Sequence, residues 1–156
     1  MAKRVFIIHG WTGHPNEAWL PWLKRELEKR NFVVDVPAMP DTDHPKIKEW
    51  VDFLTKRVGT PDADTYFVGG SIGCQTILRY LETLPKSAKV GGAVFVAGWF
   101  SLLPAALETE EDSEIVRPWL ETELDFKKIL EHTGKFVAIF SDNDPYVSLA
   151  NSGIFK

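Results

Sequence analysis

The 156-residue sequence predicts an α/β fold, a mainly parallel five-stranded sheet between helical layers in a three-layer sandwich. Three observations carry that expectation. Short, unbroken apolar runs rich in β-branched residues recur at 5–8, 32–36, 66–68, 93–97 and 136–140. Unbroken runs suit parallel strands covered on both faces, whereas alternating runs mark half-exposed sheets. Segments of helical period lie between them, at about 16–30, 45–58, 72–84 and 125–133, and each connection is long enough for a right-handed crossover.

Taken in order, the first strand holds Val5, Phe6, Ile7 and Ile8 and stops at His9-Gly10. Trp19, Trp22, Leu23 and Leu27 repeat at helical spacing before the second strand, and Ile47, Trp50, Val51 and Leu54 before the third. The third strand runs straight into a glycine-rich turn and the helix at 72–84. A doubly wound order follows, 2-1-3-4-5 with the first strand central. Residues 99–124 break the alternation. They mix Trp99, Phe100, Leu102, Leu103 and Pro104 with an acidic run, Glu108 to Glu114, and then Arg117-Pro118-Trp119. Their place after the fourth strand is at the carboxyl edge, where open α/β sheets bind ligands. They read either as a lid over a site or as an elaborated surface loop with a solvated acidic face. The whole chain, 1–156, reads as one domain.

Composition narrows the function classes. The chain is 44% hydrophobic and 12% aromatic, with a net charge of −4 and a pI near 5.6. Such a balance is globular and offers neither nucleic acid nor an anionic membrane an electrostatic partner. A lone cysteine, Cys74, excludes an internal disulfide framework and a cysteine-based zinc site. The apolar run at 5–8 is shorter than the roughly 7–15 residues of a secretory core. No apolar stretch reaches membrane-spanning length, so a cytoplasmic location is expected.

The strongest chemical signal is Val68-Gly69-Gly70-Ser71-Ile72-Gly73, which reads G-x-S-x-G between a predicted strand and a predicted helix. That is the setting of a nucleophile elbow, in which a sharp turn projects the serine hydroxyl. Side chains two positions either side would clash, hence Gly69 and Gly73. The helix amino terminus then offers the Ile72 N–H to an oxyanion. A phosphate loop is the plain alternative, but Cys74 stands where a Walker loop needs lysine. The dinucleotide fingerprint fails as well, and it usually follows the first strand. A nucleotide or flavin binder is therefore the weakest reading.

Two further loops belong with the elbow. Ile8-His9-Gly10-Trp11-Thr12-Gly13 ends the first strand, beside the third in the expected order. Acyl transfer needs a second N–H on the oxyanion, and Trp11 N–H is the candidate. Ser141-Asp142-Asn143-Asp144-Pro145 follows the last strand, where a triad acid belongs. Asp142 and Asp144 both qualify on chemistry, and an Asx turn or helix cap is the plain alternative. Trp99 and Phe100 are candidate walls of an acyl pocket, although aromatic residues after a strand more often serve the core. Cys74 reads as a buried small residue rather than a redox centre.

His9-Gly10, Trp19-Leu20-Pro21-Trp22-Leu23, the elbow, Arg117-Pro118-Trp119 and Ser141-Asp142-Asn143-Asp144-Pro145 together resemble the small α/β-hydrolases related to retinoblastoma-binding protein 9. The resemblance covers essentially the whole chain. It implies a single-domain serine hydrolase without cofactor or metal, acting on a small-molecule carboxylic ester or an amide through a Ser-His-Asp triad. It also selects Asp144, because the family's aspartate directly precedes proline in that loop. The L-x-C-x-E retinoblastoma-binding sequence is absent; around Cys74 the chain reads Ile72-Gly73-Cys74-Gln75-Thr76.

One departure bears on mechanism. The family's histidine follows one more strand, roughly 20–35 residues beyond the acid by usual unit lengths. Here twelve residues follow Asp144, and His9, His14, His44 and His132 all precede it. The expectation is a chain lacking its final strand, its final helix and its catalytic histidine, with an uncovered sheet edge inviting a second copy. His9 is expected to orient the oxyanion loop, His14 is near enough to that loop in sequence to be weighed as a substitute base against the fixed geometry of a triad, and His44 and His132 read as surface or capping residues. A non-catalytic protein-interaction module on the same scaffold is the competing function.

Overall fold

A computed structural model describes residues 2–156. The strands are β1 (Arg4–Ile8), β2 (Val33–Asp35), β3 (Thr65–Gly70), β4 (Gly92–Val96) and β5 (Phe136–Ile139). The helices are α1 (Leu20–Glu28), α2 (Ile47–Val58), α3 (Ile72–Thr83), α4 (Glu110–Glu121) and α5 (Phe126–Leu130). All strand pairs are parallel, in the order β2-β1-β3-β4-β5, as the sequence predicts.

The pleat of β1 sorts its side chains between two cores. Phe6 and Ile8 join a large cluster with Trp50, Leu54, Ile77, Leu81 and Phe95, beneath α2 and α3. Val5 and Ile7 face the other way, toward Leu20 and the half-buried Trp19, Leu23 and Leu27 of α1 and its lead-in. That second layer is thin. α1 covers one end of the sheet only, and a groove of about 750 Å³ opens beside it, floored by Val68, Val94, Phe136, Val137 and Ile139 among others. Val137 and Ile139 are 55% and 51% exposed, so β5 is an open edge with apolar side chains, as expected.

Two segments go beyond the alternation of strands and crossover helices. The 99–124 stretch contains a regular helix, α4, whose start is the acidic run. Thr109 and Asp112 form a reciprocal capping box, and Glu110, Glu111 and Asp112 occupy the first turn. Carboxylates there complement the helix dipole. The helix is hard to read in sequence because Pro118 stands inside it and only Val116 and Trp119 are buried. Trp119 anchors it: the ring meets Trp50 edge-on at 6.1 Å, and Nε1 donates to the Pro45 carbonyl at 3.0 Å. The chain's last segment is a 3-10 helix, Leu149–Phe155, that folds back on the end of β4. Phe155 packs on Phe95, Phe100 and Phe140.

Candidate active site

Ser71 stands between β3 and α3 with φ 53° and ψ −120°, a strained backbone for a residue with a side chain. Its N–H donates to the Val96 carbonyl at 2.9 Å, which pins the turn to β4. The steric role of the flanking glycines is visible. A Cβ on Gly69 would lie 2.7 Å from the Cys74 nitrogen, and one on Gly73 would overlap the Ile8 carbonyl oxygen. The elbow can close only because both are glycine.

The loop after β1 meets the elbow as expected. A Cβ on Gly10 would sit 3.4 Å from Ser71 Cβ. Among the described residues, neither the Trp11 N–H nor the Ile72 N–H has an intramolecular acceptor, while Thr12 and Gly13 donate to Thr42 and Gly10 carbonyls. Both N–H groups are thus left without a protein acceptor, and Trp11 and Ser71 line the same cleft. The Trp11 indole donates to the Asp43 carbonyl at 3.0 Å, which holds that residue's side chain.

His9 fastens the same loop. It is buried, with Nε2 accepting the Met39 N–H at 3.0 Å and Nδ1 2.9 Å from the Gly10 carbonyl. An N–H at Nε2's position forces that nitrogen to be the acceptor, so the proton is on Nδ1 and is donated to Gly10. Burial holds its pKa below the ordinary histidine value. His9 therefore orients the loop and has no free nitrogen for Ser71.

The other histidines are engaged elsewhere. His14 is exposed near Glu17, and His44 sits between Asp41 and Glu111, each at 3.3 Å, which raises its pKa. His132 is buried, its Nδ1 2.9 Å from the Ala88 carbonyl. Among the described residues the hydrogen-bond partner of Ser71 Oγ is the Trp99 indole N–H, at 3.0 Å.

Ser71 opens onto a cleft of about 470 Å³, walled by Trp11, Trp99, Leu102, Ala106, Tyr146 and Val147. Asp112 and Glu108 stand on its rim, so the 99–124 segment overhangs the cleft with a fixed helix. A smaller recess of about 200 Å³ lies on the other side, beside His9 and Glu17. Trp99 lines the main cleft; Phe100 does not, and packs instead against Phe126 and Phe155. Phe100 is thereby a core residue, its ring drawn away from the cleft by the folded-back terminal segment.

The loop after β5 borders the cleft through Tyr146 and Val147. Asp144 is half-buried at its base, with Oδ1 accepting the Tyr146 and Val147 N–H groups at 2.8 and 3.0 Å. Asp142 is exposed. Cys74, fully buried, donates its thiol to the Gly69 carbonyl at 3.2 Å, and burial raises its pKa strongly. No group of three or more His, Cys, Asp or Glu suited to a metal ion occurs among the described residues. No described helix is long and apolar enough to cross a membrane.

Sequence reading passed over three polar residues that shape the site from behind: Gln75, Arg79 and Asn151, all buried. The signal for the first two was available. They stand four residues apart in a helix whose residues 72–81 are otherwise mostly apolar and entirely buried.

Comparison with known proteins places the whole chain in a family. The family model described as serine hydrolase matches residues 5–155. YdeN of Bacillus subtilis (strain 168), whose name marks it as a candidate hydrolase, is 32% identical over 152 residues, 97% of this chain and 76% of YdeN. The crystal structure of the B. subtilis ydeN gene product superposes with a TM-score of 0.87 at 31% identity, covering 99% of this chain and 79% of that one. A monoacylglycerol lipase from Paleococcus ferrophilus shares the fold at a TM-score of 0.61 and 16% identity, covering 96% of this chain and 77% of that one.

Proposed function

Because this chain belongs to the serine hydrolase family, we propose that it is built to cleave carboxylic esters, and amides as a second class, through an acyl-enzyme on Ser71. The observation that carries this is the elbow itself, a serine at φ 53° beside two unpaired N–H groups. Ser71 Oγ attacks the carbonyl carbon, and the Ile72 and Trp11 N–H groups hold the oxyanion. The ester C–O or amide C–N bond breaks, the alcohol or amine leaves with the proton that the Ser71 hydroxyl lost, and water then cleaves the acyl–Oγ bond, releasing the acid and returning a proton to Oγ. Asp144 is the triad acid, supported by its half-buried place in a loop that walls the cleft. Its imidazole partner is none of the four histidines in this chain, each of which is bonded or placed elsewhere. Weak turnover follows for this chain, since a serine without its base is a poor nucleophile. The kinship to small α/β-hydrolases related to retinoblastoma-binding protein 9 belongs to this proposal and rests on the motifs that carry it.

A non-catalytic interaction module on the same scaffold is the second reading. It is favoured by the indole, rather than an imidazole, on Ser71 Oγ. A fluorophosphonate probe separates the two. Slow covalent labelling, as expected of a serine without its base, that disappears in Ser71→Ala supports the hydrolase; no labelling of the native chain even on prolonged exposure at alkaline pH supports the module.

A further inference from the structure

Trp99 is held as few buried side chains are. It is 1% exposed, and its carbonyl accepts Gln75 Nε2 at 2.9 Å. The next two N–H groups, of Phe100 and Ser101, both donate to Asn151 Oδ1, at 2.8 and 3.1 Å. Gln75 is fixed in turn, because its Oε1 accepts from Arg79 Nη2 at 2.9 Å. Arg79 is buried without a carboxylate partner among the described residues. Its Nη2 instead lies 3.1 and 2.8 Å from the Trp119 and Thr122 carbonyls, at the carboxyl end of α4. A helix carboxyl terminus is where a buried cation is best accommodated without a counter-ion. The guanidinium also sits 5.8 Å from the Trp119 ring centroid.

These contacts make one continuous path from α4 through Arg79, Gln75 and Trp99 to Ser71 Oγ. We propose that Trp99 is a catalytic residue, an indole donor to the nucleophile's own oxygen, and that Gln75 and Arg79 are its positioning residues. The proposal rests on Ser71 being the nucleophile. An N–H aimed at Oγ stabilises negative charge there once the hydroxyl proton has left. It therefore lowers the hydroxyl pKa, and it assists again when the acyl–Oγ bond breaks and the electron pair returns to Oγ. Because Trp99 is buried and its backbone is pinned, its N–H is a fixed donor that needs no reorientation when charge develops on Oγ. An indole cannot take up a proton, so it replaces none of the work of a general base.

The test is the pH–rate profile of fluorophosphonate labelling. In that reaction the Oγ–P bond forms, the P–F bond breaks, fluoride leaves and water takes the hydroxyl proton. Trp99→Phe keeps the ring and removes the N–H. It is expected to slow labelling about 10- to 100-fold, less than the roughly 100- to 1000-fold seen on removing one oxyanion donor, and to move the profile to higher pH. Gln75→Leu is expected to move the profile the same way by less, an effect that loss of packing alone would not produce. Equal or faster labelling of Trp99→Phe at every pH overturns the role of Trp99 while leaving Ser71 as nucleophile. A native chain that takes no label even on prolonged exposure at alkaline pH overturns both. Where Trp99→Phe fails to fold, the indole N–H signals of the six tryptophans decide. Ser71→Ala must then shift the Trp99 signal and speed its exchange, and an unmoved signal ends the proposal.

Discussion

The Nε2 of His9 accepts the backbone N–H of Met39 at 3.0 Å, and this bond decides which nitrogen carries the proton. Protonating Nε2 would set two N–H groups against each other in a buried site. The neutral form is thus built into the loop that presents Trp11 to Ser71.

Acid should therefore loosen this loop. Burial holds the folded-state pKa of His9 below its ordinary value, so the unfolded chain binds the proton more readily. The stabilisation is complete above the unfolded value of about 6.5 and is lost as pH falls from there through the folded pKa. His44 works in the opposite sense, since its raised pKa favours the folded state at low pH and fades as pH rises. Chemical denaturation between pH 5 and 7.5 should show a steeper acid loss for the native chain than for His9→Gln. Parallel curves would remove His9 from the account.

Gly73→Ala should be far more damaging than Gly59→Ala. A Cβ at position 73 overlaps the Ile8 carbonyl and comes 2.8 Å from the His9 carbonyl, both backbone atoms that cannot yield cheaply. Overpacking of this kind costs about 1–3 kcal/mol or more. Gly59, the carboxyl cap of α2 at φ 66°, meets nothing within 4 Å. The penalty there is confined to the backbone, since φ 66° with ψ −130° is a conformation that residues with a side chain rarely adopt, and no neighbour is displaced. Denaturation midpoints of the two variants should rank in that order.

Trp119→Ala should cost about 3–5 kcal/mol, the usual toll for emptying a buried tryptophan site. It removes the edge contact with Trp50 and the bond to Pro45. Amides of α4 in the native chain should exchange with those of the core, because the helix is anchored at Trp119. Exchange of α4 far ahead of the core would instead make it a detachable lid.

The open β5 edge should cause self-association. Val137 and Ile139 present apolar side chains beside unpaired strand groups, next to the uncovered groove. Sedimentation should find species heavier than one chain, and Val137→Lys with Ile139→Lys should shift the distribution to the monomer. A native chain that stays monomeric at high concentration would refute this.

What could be read from the sequence alone was whatever depends on neighbours in the chain. Runs of Val, Ile and Phe mark strands, and Gly69, Ser71 and Gly73 mark the sharp turn from β3 into α3, because both follow from local sterics. Sheet order followed too, since right-handed crossovers leave few arrangements. The tertiary structure decided what touches Ser71. Trp99 and Phe100 are adjacent aromatics after the same strand, indistinguishable by composition. Yet one turns its N–H onto an oxygen 28 positions away, and the other packs on Phe155. The helix α4 escaped notice for the same reason. Its anchor, Trp119 on the Pro45 carbonyl, spans 74 positions, and the favourable energy of such a contact exists only once the core that brings the partners together has formed.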